Sequence, residues 1–338
     1  MPGIRQLVSW SLLAATLGIP LAPALAVDAS SRTYSAGQFV LELDGAQAGV
    51  LRRVEGGEAV GNVVTSTGSA GAFANKHVSA VEYSEFVLEA GTGMEGAFYD
   101  WISAFWDGKA ARKSGAVLAV DYNAQVVARR EFHEALLTET TLPALDAASK
   151  DPAFLTVRFV PEQVRFSKGG GSVPSMTTAK AQRPWSVSNF RLEIAGLDCS
   201  HVRKIESFSV KQKVAVNAVG DQRVAQKEPT TLTVSDLVVT IPEMFASTWD
   251  DWAQGFLVQG KSDDSQEKTG DLVLLGSDGQ SEIARIHLFG LGPINVAHES
   301  PDSPNQVRAV VATLYCERAA LEWKGGTGPI INVRMFGR

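Results

Sequence analysis

The sequence predicts a mainly β protein built from two tandem β-barrel or β-sandwich domains, each flanked by one α-helix. A Trp-centred amphipathic segment occurs twice, as FYDWISAFWDGK at residues 98–109 and WDDWAQGFLVQGK at residues 249–261. Alternating, strand-like segments surround each in the same order. Matching segments also keep one spacing, with position 190 standing to 39 as 252 stands to 101. A shared shift of 151 over four separate elements is the mark of a tandem duplication.

Taken in order, residues 1–26 read as a secretory signal peptide. Arg5 supplies the basic start, residues 7–21 the short apolar run broken by Pro20, and Ala24-Leu25-Ala26 the small-x-small site, so cleavage falls between Ala26 and Val27. An N-terminal membrane anchor is the competing reading, disfavoured by the shortness of the run. Export places the chain in the periplasm or outside the cell, with no membrane association after cleavage. Domain one is then 27–166, a Gly/Ser/Pro-rich tether 167–184, domain two 185–324 and a C-terminal tail 325–338. The tail holds a short apolar strand at 330–333.

Within each copy, residues 39–45 and 190–196 alternate as a strand ending at a Gly turn, and 51–55 pair with 202–206 as a second strand. Residues 61–75 and 216–229 are small and polar without periodicity and are expected to be long loops. Residues 84–88 and 235–239 give a third strand before each helix. On the helices, Phe98, Trp101 and Phe105, and again Trp249, Trp252 and Phe256, form one apolar stripe and are expected core. The turn signals at 122–125 and 277–280 then close a hairpin, and each copy ends in a strand followed by Glu162 or Glu317.

The first copy resembles the tail tube proteins of contractile phages and the related haemolysin-coregulated proteins. The resemblance rests on Val54-Glu55-Gly56-Gly57, Lys76 before a strand, the Trp-centred helix, the basic turn at 109–113 and the hairpin with Asp121. Val127-Ala-Arg-Arg-Glu-Phe132 and the run 142–162 complete it. The second copy keeps the scaffold but has Ile205-Glu206-Ser207 where the first has the Glu-Gly-Gly. The resemblance implies a β-barrel-like pair of sheets with one helix, associating side by side into sixfold rings that stack as a tube. Two fused copies per chain then imply a pseudo-sixfold ring of three chains. Glu55, Gly56, Gly57 and Lys76, with the stretches 55–75, 216–229 and 330–333, are the expected assembly residues. Tail tube proteins carry no signal peptide, so export marks a departure from the family.

No constellation for catalysis stands out. The five histidines lie at no metal-ligand spacing, and the acidic run Asp263, Asp264, Glu267, Asp271 lacks a calcium-loop pattern. Asp250 and Asp251 suit the positive end of their helix. No nucleophile elbow or phosphate loop is present. A net charge of −6, or −7 without Arg5, gives no reason to expect nucleic acid. Cys199 and Cys316 are the only cysteines. In an oxidising compartment they are a candidate disulfide, closing a loop for about 4 to 5 kcal/mol, and the other reading is two buried thiols. The expectation is therefore an exported, non-enzymatic structural protein that self-associates and needs no cofactor or metal. The alternative is a monomeric secreted module recognising a glycan or protein.

Overall fold

The computed structural model describes residues 37–68, 73–173, 184–217, 226–300 and 307–324, which fall in one compact unit. The first half runs β1 (Gln38–Leu43), β2 (Ala46–Leu51), β3 (Arg53–Glu55), β4 (Ala59–Ser66), β5 (Asn75–Tyr83), β6 (Phe86–Ala90) and α1 (Gly96–Trp106). It continues with β7 (Lys113–Val120), β8 (Val126–Leu142), β9 (Leu145–Asp146), β10 (Pro152–Ala153), β11 (Leu155–Val160) and β12 (Gln163–Lys168). The second half runs β13 (Trp185–Ser186), β14 (Phe190–Ile194), β15 (Lys204–Ile205), β16 (Phe208–Asn217), β17 (Gln226–Val234) and β18 (Leu237–Pro242). After a tight turn, α2 (Ser247–Ala253) passes into a π-helical turn, Gln254–Val258. β19 (Lys268–Leu275), β20 (Glu282–His298) and β21 (Ala309–Trp323) follow.

The two halves place these strands in the same order. One sheet reads β1-β7-β8-β11-β6-β3 and the other β14-β19-β20-β21-β18-β15. Even their irregularities coincide. The ladder slips between Lys113 and Gly115 and again between Lys268 and Gly270. It slips on the next strand pair at Arg158/Phe159 and at Pro293/Asn295. A bulge re-aims every side chain beyond it, so coincident bulges keep the same positions facing inward.

Inward-facing positions of both sheets and both helices merge into one apolar core. It includes Trp101, Phe98 and Phe159 from the first half and Trp249, Ile205 and Leu314 from the second. Each buried Trp removes about 200 Å² from water, worth about 5 kcal/mol before ordering costs. The indoles are also satisfied: Trp101 Nε1 donates to the Ala111 carbonyl at 2.9 Å and Trp249 Nε1 to the Asp198 carbonyl at 2.9 Å.

Three expectations need correction. Of the stretches 61–75 and 216–229, residues 61–66, 75, 216–217 and 226–229 are not loop but strand, in the paired β4–β5 and β16–β17. Both faces of β4–β5 meet solvent, so its Val and Thr residues favour strand without imposing an inside-outside alternation. The tether does not begin at Ser167, because Ser167 and Lys168 complete β12 against Arg129 and Ala128, and Val173 is buried in a small cluster with Val40 and Leu118. Finally, the halves are not separate bodies on a string, since they share strands and core. The signal peptide with its Ala26/Val27 site, the rest of the tether (174–183) and the tail strand at 330–333 lie outside the described residues.

Candidate assembly surface

The junction between the halves is built by the second arm. At its base β16 adds to the outer edge of β8, with Phe208 opposite Leu142, Ser209 opposite Thr141, Val210 opposite Thr140 and Lys211 opposite Glu139. Phe208 and Val210 are buried there, and Trp106 of α1 packs 6.2 Å from the Phe208 ring while donating to Thr140 Oγ1 at 2.7 Å. Lys211 pairs with Glu139 at 3.2 Å. The start of β17 reaches further: Lys227 Nζ donates to the Pro161 carbonyl at 2.7 Å, and its backbone N–H donates to Glu162 Oε1 at 3.2 Å. Arg112 binds both Glu162, at 2.6 Å, and the Lys227 carbonyl. Burial holds the Lys227 ammonium below its usual pKa, against the pull of Glu82, Glu162 and Glu85. The end of β21 closes the junction, Trp323 stacking on Tyr99 at 3.7 Å and Ser103 Oγ donating to the Leu321 carbonyl at 3.1 Å. Burial raises the Tyr99 phenol pKa well above its ordinary value.

The first arm, β4–β5, is anchored at its base as the second is. The Glu58 N–H donates to Ser84 Oγ at 3.0 Å, as the Ser209 N–H does to Ser235 Oγ at 2.9 Å. That serine hydroxyl, followed by the Glu58 backbone, holds the Glu58 carboxyl below its usual range. Beyond its base the two arms differ. Val60, Val63, Val64, Phe73, Val78 and Val81 of the first arm and its tip are all exposed, whereas on the second arm Leu232, the counterpart of Val81, packs against the core.

The sequence-selected assembly residues therefore have unequal roles. Glu55 ends β3 and pairs with Arg53. Gly56 and Gly57 shape the turn into the arm, with φ of 87° and 82°. A Cβ on Gly57 would lie 2.2 Å from the Phe86 ring, and Gly56 presents its carbonyl to Arg130 at 2.8 Å. Lys76 projects from exposed β5. On the helices, Phe98, Trp101, Phe105, Trp249 and Phe256 are buried, while Trp252 is half-buried, its indole donating to the Gln266 carbonyl at 3.3 Å.

The cysteines are free thiols, so the candidate disulfide is not formed. Each thiol has its own surroundings: Cys316 Sγ lies 3.3 Å from the Arg318 carbonyl, and Cys199 bonds to the Ile194 backbone. Burial pushes both up to about 11. The acidic run is dispersed, Asp271 binding Arg285 and His287 while Glu267 accepts from the Tyr315 hydroxyl at 2.7 Å. Asp250 stands in the first turn of α2, makes no cap hydrogen bond, and binds His298 Nε2 at 3.1 Å, with Glu243 on Nδ1 at 3.2 Å. Among the described residues no group of three His, Cys, Asp or Glu is placed to hold a metal.

One groove, of about 820 Å³, runs along the free edge of β14, lined by Phe190, Leu192, Ile194, Leu197, Cys199 and Leu288 among others. In the first half β2 pairs with the corresponding edge of β1. In the second, residues 197–202 pass the same place without forming a strand. Sequence reasoning missed both the groove and the junction. The signal was present in Phe208 and Val210, apolar residues at the base of a stretch otherwise read as polar loop.

Residues 35–165 match the model of the T4-like virus tail tube protein gp19 family. This is the half in which the sequence carries the tail tube resemblance, and the mainly β architecture agrees with it. Solved structures similar to the chain include a PVC sheath-tube complex of an extracellular contractile injection system in its extended state. It has 15% identity and a TM-score of 0.37, covering 44% of this chain and 99% of that one. The anti-feeding prophage baseplate, 6-fold symmetrised, has 15% identity and a TM-score of 0.33, covering 45% and 97%. Hcp1 from Flavobacterium johnsoniae has 14% identity and a TM-score of 0.27, covering 40% and 99%. No curated protein matches the chain.

Proposed function

We propose that the chain is an exported, non-enzymatic structural subunit: two tail-tube-like units, related by tandem duplication, that self-associate side by side into a ring. The observation that carries this reading is the β16–β8 junction, in which one unit already docks on the other through its arm. The common strand order and coincident bulges support the duplication. A head-to-tail contact that closes by rotation makes a ring, and three chains carrying six units match the arrangement the family resemblance implies. Stacking of rings into a tube is the further step of the same reading. Export rests on Arg5, the short apolar run and the Ala24-Leu25-Ala26 site.

Size-exclusion chromatography with light scattering on the purified chain, followed by negative-stain microscopy, tests the assembly. Trimers or closed rings are expected, and a monomer at every concentration overturns it. Mass spectrometry of the N-terminus tests export, with Val27 the expected first residue. The groove beside β14 favours one second reading, a monomeric module that takes an extended protein segment against a free strand edge.

A further inference from the structure

The two halves differ in what covers them, and the difference is complementary. β8 beyond Ala135 is covered by β16. Its counterpart, β20 beyond Leu291, pairs with β21 on one side and with no described strand on the other. Conversely β16–β17 is docked, while its counterpart β4–β5 pairs with no other described strand. Among the described strands this leaves the β4–β5 arm and the far stretch of the β20 edge without the partners their counterparts have.

We propose that the β4–β5 arm of one chain docks on the free edge of β20 of a second copy, repeating between chains the junction seen within the chain. This rests on the self-association reading above and adds its register and chemistry. Carrying the β16–β8 register across the matched strands sets Gly57 opposite His298, Glu58 opposite Ala297, Ala59 opposite Val296 and Val60 opposite Asn295.

The side chains at the transferred positions fit one another. Lys76 takes the place of Lys227, and Glu317 that of Glu162, so the basic arm meets a carboxylate in the same position. Where the inner junction has Arg112, the outer has Glu267, making this face more acidic and Lys76 more strongly attracted to it. The Trp323–Tyr99 stack is replaced by Lys168 and Asp250, a second pair of opposite charges. Trp106 and Thr140 give way to Leu257 and Val296, which exchange a hydrogen bond for an apolar contact. Leu257 is 47% exposed in the single chain where Trp106 is buried, as expected of a surface awaiting a cover.

Disulfide trapping and charge exchange test the interface. In a chain whose own cysteines are replaced (C199A, C316A), Ala59→Cys with Val296→Cys places two thiols across an antiparallel pair within bonding range. Oxidation is expected to give covalent oligomers on a non-reducing gel, ending at three chains if the ring closes. The shifted pair Ala59→Cys with Asn295→Cys, which points to opposite sheet faces, is expected to give none. Lys76→Glu is expected to weaken association about tenfold or more by sedimentation, and adding Glu317→Lys to restore it to within about threefold. Circular dichroism checks that these exposed substitutions leave the fold intact. If the native chain associates but neither the matched thiols nor the charge pair matters, the arm–edge interface is wrong while self-association stands. If the native chain never associates, the self-association reading itself fails.

Discussion

Helices α1 and α2 occupy matching places in the two halves, yet among the described residues only α1 is covered on its outer flank. Inward, both are held alike, by Trp101 and Trp249 at 1% and 0% exposure. Outward, α1 meets Trp323, the Leu321 carbonyl and Phe208. The same flank of the α2 segment shows solvent Leu257 and, at 71% exposure, Val258. The inner face of an element is thus fixed by its own unit, and the outer face by what the next unit lays upon it. Between the two halves the first stays constant and the second differs.

The largest test of that division is at the inner face. Trp101→Ala and Trp249→Ala are each expected to cost about 3 to 5 kcal/mol in denaturant unfolding, and similar losses sharpen the parallel. The outer flank is expected to behave unequally. Trp106→Ala removes a buried ring and its bond to Thr140 for about 3 kcal/mol, whereas Leu257→Ala in a dilute chain stays within about 0.5 kcal/mol. Equal losses at those two positions break the comparison. Gly57→Ala, forced into positive φ against the Phe86 ring, is expected to cost about 1 to 3 kcal/mol by the same measurement.

The smallest effect concerns His298, which stands where the first half has Leu142. Glu243 and then Asp250 raise its pKa above the ordinary value. A raised pKa in the folded chain means stabilisation that is full below the unfolded histidine pKa and is lost as pH rises through the folded one. With 43% of the side chain exposed, solvent screening limits it to about 0.5 kcal/mol. Comparing His298→Asn with the native chain at pH 5.5 and 8 checks the sign: the native advantage is expected only at the acidic end.

Much of the fold was legible. Trp101 and Trp249 declared their helices by spacing, and residues 39–43 and 190–194 declared their strands by alternation, because each of these buries one face only. The arms were illegible for the opposite reason: Val63, Val64 and Val78 face water on a hairpin with no inside, so no period appears. The fate of the cysteines was out of reach too. Their number marked them as partners, but only the fold shows Cys316 bonded to its own strand's carbonyl and Cys199 to the Ile194 backbone. Of the proposed interface, Lys76 and the Gly pair were named from family resemblance, while the receiving edge of β20 depends on long-range pairing that no local pattern encodes.

The bare margin of β14 carries a last consequence. A border strand without a hem is a template for runaway fibre growth unless something discourages arrivals. Here Arg191 pairs with Glu193 at 2.5 Å and with Glu282 at 3.2 Å, and Asp271 is engaged by Arg285, so charge is posted along that margin. A stray strand has to strip water from these ions before it gains a single ladder bond, a cost that weighs against pairing at the wrong seam.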